Sequence, residues 1–427
     1  MKIMSKDKEE INVLILQQKR RKIKMKRSIR AFMIILCCFF LSGCWSSKEM
    51  SDLAFVTAVG ISKDKDENKY KVSLQVVNPG SVAGGQQASV QDAPVTIMSS
   101  TAFNPFEASR HVTSKMSRNL YYAHTNLIVI DEELARTKGL YELFDFIERS
   151  DQLRETATIV IAKGTSAENV IKNLTPIDRI PAVYVNKMLK NAEDNGGQNI
   201  KVTVDEVLQK ITSQGREPII NGISIQGSAE EGSMQESIQG SDPKGKLEAS
   251  GIAIFREGKL IDWVKGYNVH GILWTTNKVK DIVDSIDWEN HKKAIALQTI
   301  RAKSKLDVKW KHGRPIILIN IETEGNINGV NVSVDLRDPQ VIQKIESLWE
   351  KQIEQEVMKT VKRAKKDKSD IFGFGRTIYE HSPKKWKELK DDWNVKGFTE
   401  VDVDVNVNAF IRRTGLRNQP FLSNPNR

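Results

Sequence analysis

The sequence predicts an α+β fold in several domains, with mixed or antiparallel sheets covered by helices. Three observations lead to this prediction. Apolar and polar residues alternate along residues 70–76 and again along 401–407, as in strands with one buried face. A β–α–β pattern spans 127–162. Along 341–366 apolar residues recur every three or four positions, which predicts one long helix in the C-terminal half.

The N-terminal half is predicted to begin with a hairpin, followed by a polar loop and then by the β–α–β pattern. The pattern of apolar residues predicts strands at 55–61, 70–78, 127–130 and 156–162. A helix is expected over 132–149, between the last two strands. Thr165 and Glu168 have the spacing of a capping box, which predicts another helix beginning at Thr165.

Residues 226–248 are poor in large apolar side chains and rich in Ser, Gly, Glu and Gln. Such a segment buries too little apolar surface to offset its ordering entropy, so we expect a linker or long loop. It divides the chain into an N-terminal α+β domain (44–225) and a C-terminal α+β domain (249–415), with a tail at 416–427. In the C-terminal part, strands are expected at 251–255, 260–264, 300–310, 316–322 and 401–407.

The N-terminal region has the layout of a secretory signal. An eleven-residue apolar run, 31–41, follows three basic residues, and as a helix it would rise only ~16 Å, about half of a ~30 Å hydrocarbon core. Leu41, two small residues and then Cys44 give the bacterial lipoprotein form of this layout. We therefore expect residues 1–43 to be removed and Cys44 to carry lipid at the new N-terminus. The alternatives are an ordinary signal peptide with a chance cysteine, and a start at Met25 instead of Met1.

Composition excludes several classes of function. The 427 residues carry a formal charge of +11, but residues 1–43 account for +8 of it, which leaves +3 for the rest. The charge therefore does not predict a nucleic-acid partner. All three cysteines lie at or before Cys44, so the mature chain is expected to have no disulfide or catalytic thiol.

No pattern in the sequence indicates catalysis, a cofactor or a metal. The spacing of Asp402, Asp404 and Asn406 imitates a calcium loop, but Gly and Glu are missing from its sixth and twelfth positions. The six histidines, His270 among them, are dispersed and show no metal-ligand spacing, so we expect structural roles for them. The sequence predicts that the protein is not an enzyme.

The string Asp370-Ile371-Phe372-Gly373-Phe374-Gly375, with Trp386 nearby, is the most unusual local feature. Two Phe separated by Gly imply aromatic anchors on an otherwise flexible backbone. Two interpretations stay open. The rings fill the core while Gly makes a turn, or they present a contact edge to a partner protein.

The chain resembles the spore germination receptor C-subunit lipoproteins of the GerAC type. The resemblance covers most of the sequence after the signal. The segments that carry it are Cys44-Trp45, residues 124–136, residues 251–255, Trp263, residues 370–375 and Trp386.

The resemblance implies a non-enzymatic, palmitate-type lipoprotein subunit of a nutrient-germinant receptor, with an α+β fold in several domains. It implies anchoring through Cys44 at the outer face of the inner spore membrane, beside A- and B-type integral membrane subunits. A lipid-anchored solute-binding protein of an importer is an alternative, although that class has two similar lobes. An anchored cell-wall hydrolase is another, but it needs paired carboxylates or a metal triad that the sequence does not show.

Overall fold

The computed structural model describes residues 49–414 except 65, 67, 83–92 and 151, together with the isolated positions 24, 25, 30, 32 and 33. The lipidation site Cys44 and the expected tail 416–427 lie outside the described residues, as does nearly all of the expected signal. The chain divides into two compact units, residues 1–53 and 54–427. In the first, residues Met50–Asp52 form a 3-10 turn. The elements given below belong to the second unit, except that β1 begins at Leu53.

The larger sheet has nine strands within the described residues, in the order β3-β2-β1-β5-β6-β7-β8-β9, with β4 pairing to β1. The strands are β1 (Leu53–Lys63), β2 (Tyr70–Val77), β3 (Val95–Ala102), β4 (Asn119–Tyr121), β5 (Leu127–Asp131), β6 (Thr158–Ala162), β7 (Ile219–Gly227), β8 (Gly245–Arg256) and β9 (Lys259–Val264). The central pairs β1–β5, β5–β6 and β6–β7 are parallel, whereas the outer pairs β1–β2, β2–β3, β7–β8 and β8–β9 are antiparallel. Strands β5 and β6 are apolar on both faces because helices cover both sides of the sheet.

The smaller sheet has four strands in the described part of the chain, in the order β10-β11-β12-β13. They are β10 (Val283–Trp288), β11 (His291–Lys311), β12 (Arg314–Val330) and β13 (Asp402–Arg413). The long hairpin β11–β12 is antiparallel, and β13 joins β12 in parallel. The structure thus confirms the predicted α+β class with mixed sheets.

The helices lie on both sheets. They are Pro79–Val82, Pro105–Val112, Glu132–Thr137, Tyr141–Glu148, Ala167–Lys172, Pro181–Asn195, Val204–Thr212, Ala229–Gly232, His270–Thr275, Pro339–Asp367, Phe374–His381, Pro383–Leu389 and Phe398–Glu400. Short 3-10 turns lie at Thr113–Lys115, Tyr122–His124, Gln235–Ile238 and Gly266–Val269, and a π-helical turn lies at Trp393–Gly397. In the described residues, none of these helices combines the length and the apolar character needed to cross a bilayer.

The long helix, Pro339–Asp367, covers the smaller sheet, as its apolar spacing predicts. Its buried stripe includes Ile345, Trp349 and Val357. It also protects the sheet edge, because Glu350 accepts a hydrogen bond from the backbone N–H of Ala409 in β13 (3.0 Å). Edge strands otherwise expose unpaired backbone groups that invite pairing with another chain.

Two predicted helix boundaries differ from the structure. The helix expected over 132–149 is two helices, because Gly139 adopts a positive φ of 81° and ends the first of them. The next helix begins at Ala167 with Ser166, not Thr165, as its N-cap. Glu168 does not complete a capping box. Its carboxylate pairs with Lys71 of β2 at 2.6 Å, a partner that the local sequence pattern does not show.

The segment 226–248, for which a linker or a long loop is expected, connects β7 to β8 within one sheet. Its ends are paired strands, with Gly227 of β7 opposite Gly245 of β8. From outside the segment, the fully buried side chain of Asn173 donates a hydrogen bond to the carbonyl of Gly245 (3.0 Å). Leu174 donates its backbone N–H to the carbonyl of Gly232 (2.9 Å). Hydrogen bonds from the Asn173 side chain and the Leu174 backbone to carbonyls of this segment thus order it, although its apolar content is low.

Prediction of packing at Gly271. The helix His270–Thr275 meets the long helix at this glycine, where a Cβ would lie 2.4 Å from the carbonyl oxygen of Glu356. That backbone cannot move without shifting the long helix. We expect Gly271→Ala to lower the free energy of unfolding by about 1–3 kcal/mol, measured by urea denaturation.

Gly80→Ala is the matched control, because no atom lies within 4 Å of its added Cβ. We expect it to change stability by less than about 0.5 kcal/mol. Equal effects of the two substitutions would contradict the close approach of the two helices.

Candidate functional site

Asp370, in the unusual string, is the centre of a buried junction between the two halves of the chain. Its carboxylate accepts backbone N–H groups from Gly373 (2.8 Å), Phe374 (3.0 Å) and Gly375 (2.8 Å), and the indole N–H of Trp393 (2.8 Å). These amides form the N-terminus of the helix Phe374–His381, where a negative charge is favoured by the helix dipole. A carboxylate suits this position, because its two oxygens can accept hydrogen bonds from all four donors.

The junction joins the end of the long helix to residues 214–217, which lead into β7. Glu217 donates its backbone N–H to the carbonyl of Asp370 (2.8 Å), and Arg376 donates its backbone N–H to that of Gly215 (3.0 Å). A Cβ on Gly375 would lie 2.7 Å from the Cα of Gly215. The second Gly of the string is therefore required by close backbone approach. We call residues 214–217 and 369–376, with Trp386 and Trp393, the Asp370 junction.

The aromatic side chains of the string lie in the interior. The rings of Phe372 and Phe374 stack at 5.1 Å, and Trp386 meets Trp393 edge to face at 5.3 Å. All four are buried, and the Trp386 indole donates to the side chain of Gln214 (2.6 Å). Of the two interpretations, this burial favours the one in which the rings fill the core, and a contact of this string with a partner stays a prediction.

Two carboxyl groups at the junction have raised pKa values. Burial raises the pKa of Asp370 to about 6, although its four hydrogen bonds oppose the shift. Burial also raises the pKa of Glu217 to about 7, and the nearby charge of Asp370 adds to it. Glu217 accepts from the side chain of Asn394 (2.7 Å). The junction therefore brings together two carboxyl groups whose pKa values are raised above their ordinary range.

A second cluster brings together three residues that the sequence analysis did not connect. The Nδ1 atom of His270 lies 3.2 Å from Oδ1 of Asp284 and 3.6 Å from Oε2 of Glu356. His270 and Asp284 are buried, and Glu356 is largely so. His270 begins a short helix, Asp284 lies in β10 and Glu356 lies in the long helix. Local spacing in the sequence therefore does not predict that they meet. We call them the His270 cluster.

Burial opposes protonation of His270, but the adjacent carboxylates outweigh it and raise its pKa to about 9. Burial raises the pKa of Glu356 as well, while the contact with His270 opposes that shift. His270 thus lies between the carboxyl groups of Asp284 and Glu356, which favour its protonated form.

Basic side chains gather in a groove of 640 Å³ beside the long helix. Its lining includes Lys265, Lys359, Lys362, Arg363 and Lys366. The last four are three or four positions apart, so they are neighbours on one helix face. Their spacing in the sequence could have predicted this basic face, whereas the small net charge of the chain does not. The groove presents positive charge, which attracts anionic groups.

Comparison with known proteins identifies the family. The model described as "Spore germination protein N-terminal domain" matches residues 46–225, and that described as "Spore germination B3/GerAC like, C-terminal" matches residues 250–415. These two matches together cover most of the chain. The chain therefore belongs to the GerAC family of spore germination proteins.

Individual relatives agree with this assignment. Spore germination protein KC of Bacillus subtilis (strain 168) is 39% identical over 400 residues, which cover 93% of this chain and 98% of that protein. Spore germination protein GerQC of Bacillus cereus is 21% identical over 85% of this chain and 94% of its own. The crystal structure of the GerBC protein matches with a TM-score of 0.52 and 18% identity, over 83% of this chain and 96% of that one, and shares the fold.

Prediction for Asp370. In Asp370→Asn an amide NH₂ replaces the oxygen that accepts from Gly375 and Trp393, so two buried donors lose their acceptor. We expect the free energy of unfolding to fall by about 2–4 kcal/mol, measured by urea denaturation. The control is Asp391→Asn, whose side chain is 87% exposed and which we expect to be neutral. Unchanged stability in Asp370→Asn would show that the network contributes little.

Prediction for pH. Glu217 has a higher pKa in the folded chain, about 7, than its ordinary value of 4.5. Its contribution to stability is therefore fully present below about pH 4 and is lost as pH rises through 7. We expect the free energy of unfolding to fall between pH 5.5 and 7.5, and to fall less in Glu217→Gln. Identical pH slopes in the two proteins would rule out this titration.

Proposed function

We propose that this chain is the lipid-anchored C subunit of a nutrient-germinant receptor and has no catalytic activity. The single observation that carries the proposal is the family match, which begins at residue 46, two residues after the lipoprotein cysteine Cys44. The folded part of the family thus starts where the anchor is expected to end.

Lipid on Cys44 would hold the protein at the membrane. Each buried methylene contributes about 0.8 kcal/mol, so two or three acyl chains give stable attachment. Eight residues separate Cys44 from Leu53, where β1 begins. Such a segment reaches at most roughly 30 Å when extended. The first sheet would then stay close to the outer face of the inner spore membrane.

We propose that the folded part assembles there with A- and B-type integral membrane subunits. Confinement to a surface raises the effective concentration of the chain near such partners, so individually weak contacts suffice. Residues Asp370, Phe372, Gly373, Phe374, Gly375 and Trp386 would contribute indirectly. They fix the two halves of the chain in one arrangement and so fix the outer surface that a partner meets.

The domain division at 44–225 and 249–415 is part of this proposal. The two family models break at the same place, which supports it. The larger sheet nevertheless crosses the break, because β8 and β9 pair with β7. The division would thus describe two units of sequence that share one folded body.

The importer-type alternative gains no support from the architecture. A solute-binding protein of that class has two similar α/β lobes, whereas the two sheets here differ in strand number and topology. Calorimetry with amino acids and sugars separates the two functions, because micromolar binding by the isolated chain would favour the importer.

Prediction for the anchor. Cys44→Ala removes the thiol that takes the lipid, so we expect the protein to stay unprocessed or to leave the membrane fraction. Spores that carry it should lose the germination response that depends on this receptor. Fractionation with immunoblotting and a nutrient-response assay measure the two effects.

Cys38→Ala is the matched control, because Cys38 lies in the segment expected to be removed and should leave both properties unchanged. Cys44→Ala protein that remains in the membrane, with spores responding normally, would overturn the proposed tether.

A further inference from the structure

We infer that the His270 cluster is a binding site for a divalent transition-metal ion, with Zn²⁺ as the fitting probe. His270, Asp284 and Glu356 would each supply one ligand atom. This inference concerns the folded chain alone and does not rest on membrane anchoring.

The distances fit shared coordination. Zn²⁺ bonds to imidazole nitrogen and carboxylate oxygen measure about 2.0–2.2 Å, and at tetrahedral angles the ligand atoms then lie roughly 3.3–3.6 Å apart. The two separations from Nδ1 of His270 are 3.2 and 3.6 Å, and all three ligand atoms lie within 4.8 Å of one another.

The three atoms facing one another have no hydrogen-bond partner. Among the described residues, Nδ1 of His270, Oδ1 of Asp284 and Oε2 of Glu356 are buried without one. His270 is only 2% exposed. Buried polar atoms are nearly always hydrogen-bonded, so three atoms that lie close together without a well-oriented hydrogen bond indicate room for a ligand between them.

The other oxygen of each carboxylate is already held in place. The indole N–H of Trp349 approaches Oδ2 of Asp284 at 3.4 Å, and Gln352 donates to Oε1 of Glu356 at 3.3 Å. These contacts leave Oδ1 and Oε2 directed at His270. Outer contacts of this kind orient the ligands in protein metal sites.

The chemical groups of the cluster also favour a bound cation. Two carboxyl groups face one imidazole in a largely buried place, and within hydrogen-bond or ion-pair distance the cluster holds no second basic side chain among the described residues. A divalent ion neutralises both carboxylates while the imidazole binds in its neutral form.

The combination of one imidazole with two carboxylates selects the class of metal. Imidazole favours zinc and other transition metals over calcium or magnesium, which prefer oxygen ligands alone.

A cavity adjoins two of the three residues of the cluster. It measures 490 Å³, and Asp284 and Glu356 lie in its wall together with Tyr267, Asp287, Lys293 and Lys351. Three protein ligands with a fourth position open to a cavity is the arrangement of zinc sites that also bind water or a small ligand.

The test is metal binding by the purified full-length chain. After dialysis against ZnCl₂, we expect one Zn²⁺ per chain by elemental analysis and a higher midpoint of thermal unfolding. X-ray absorption should show one imidazole and oxygen donors with no sulfur, which excludes binding by the N-terminal cysteines. Zn²⁺ affinity should fall at least about tenfold to 100-fold in His270→Ala, since even loss of an outer contact costs that much.

Glu356→Gln is the second variant, and it covers the case in which His270→Ala fails to fold. It keeps the size of the side chain, and Glu356 is less deeply buried than His270. We expect the same loss of affinity there. His291→Ala, an exposed histidine in β11, should bind Zn²⁺ like the unmodified chain. Four results would each overturn the inference. They are the lack of stoichiometric zinc, sulfur among the metal ligands, binding of Ca²⁺ in preference to Zn²⁺, and Zn²⁺ binding by Glu356→Gln as tight as that of the unmodified chain.

Discussion

The structure depends on one buried carboxylate. Asp370 collects three backbone amides and an indole N–H, and its own carbonyl accepts from Glu217 on the approach to β7. A carboxylate without water is costly unless its hydrogen bonds replace the lost hydration. The network meets that requirement, and in doing so it fixes the turn after the long helix against the N-terminal half. Replacing Asp370 by an apolar residue would leave several donors unpaired at the place where the two halves meet.

The long helix connects this junction to the rest of the C-terminal half. Its middle covers the smaller sheet, and Glu356 lies in the His270 cluster. Its C-terminal end leads directly into Asp370. The long helix therefore carries one residue of the His270 cluster and ends three residues before Asp370, so it connects the two places where charged groups are buried. In the proposed lipid-anchored subunit, such a connection would keep the surface that faces its neighbours constant.

Local sequence patterns were sufficient for much of this fold. Alternation and helical spacing depend on side chains a few positions apart, so the first hairpin, β5 and the long helix follow from the residues themselves. Pairing between distant strands leaves no such trace. The segment 226–248 has the composition of a linker, yet hydrogen bonds to Asn173 and its neighbour order it. The His270 cluster is hidden for the same reason, because Glu356 is 86 positions from His270 in the sequence. The string at Asp370 is conspicuous, but only the fold shows that its rings point inward.

The central claim is that the Asp370 junction makes the two halves a single cooperative unit. Native-state hydrogen exchange with mass spectrometry tests it most directly, because it reports the opening free energy of each segment. The account predicts that peptides covering 213–218 and 369–377 open together, with the same free energy and the same dependence on urea. Opening of one peptide at a much lower free energy than the other would contradict it, since the halves would then separate without unfolding.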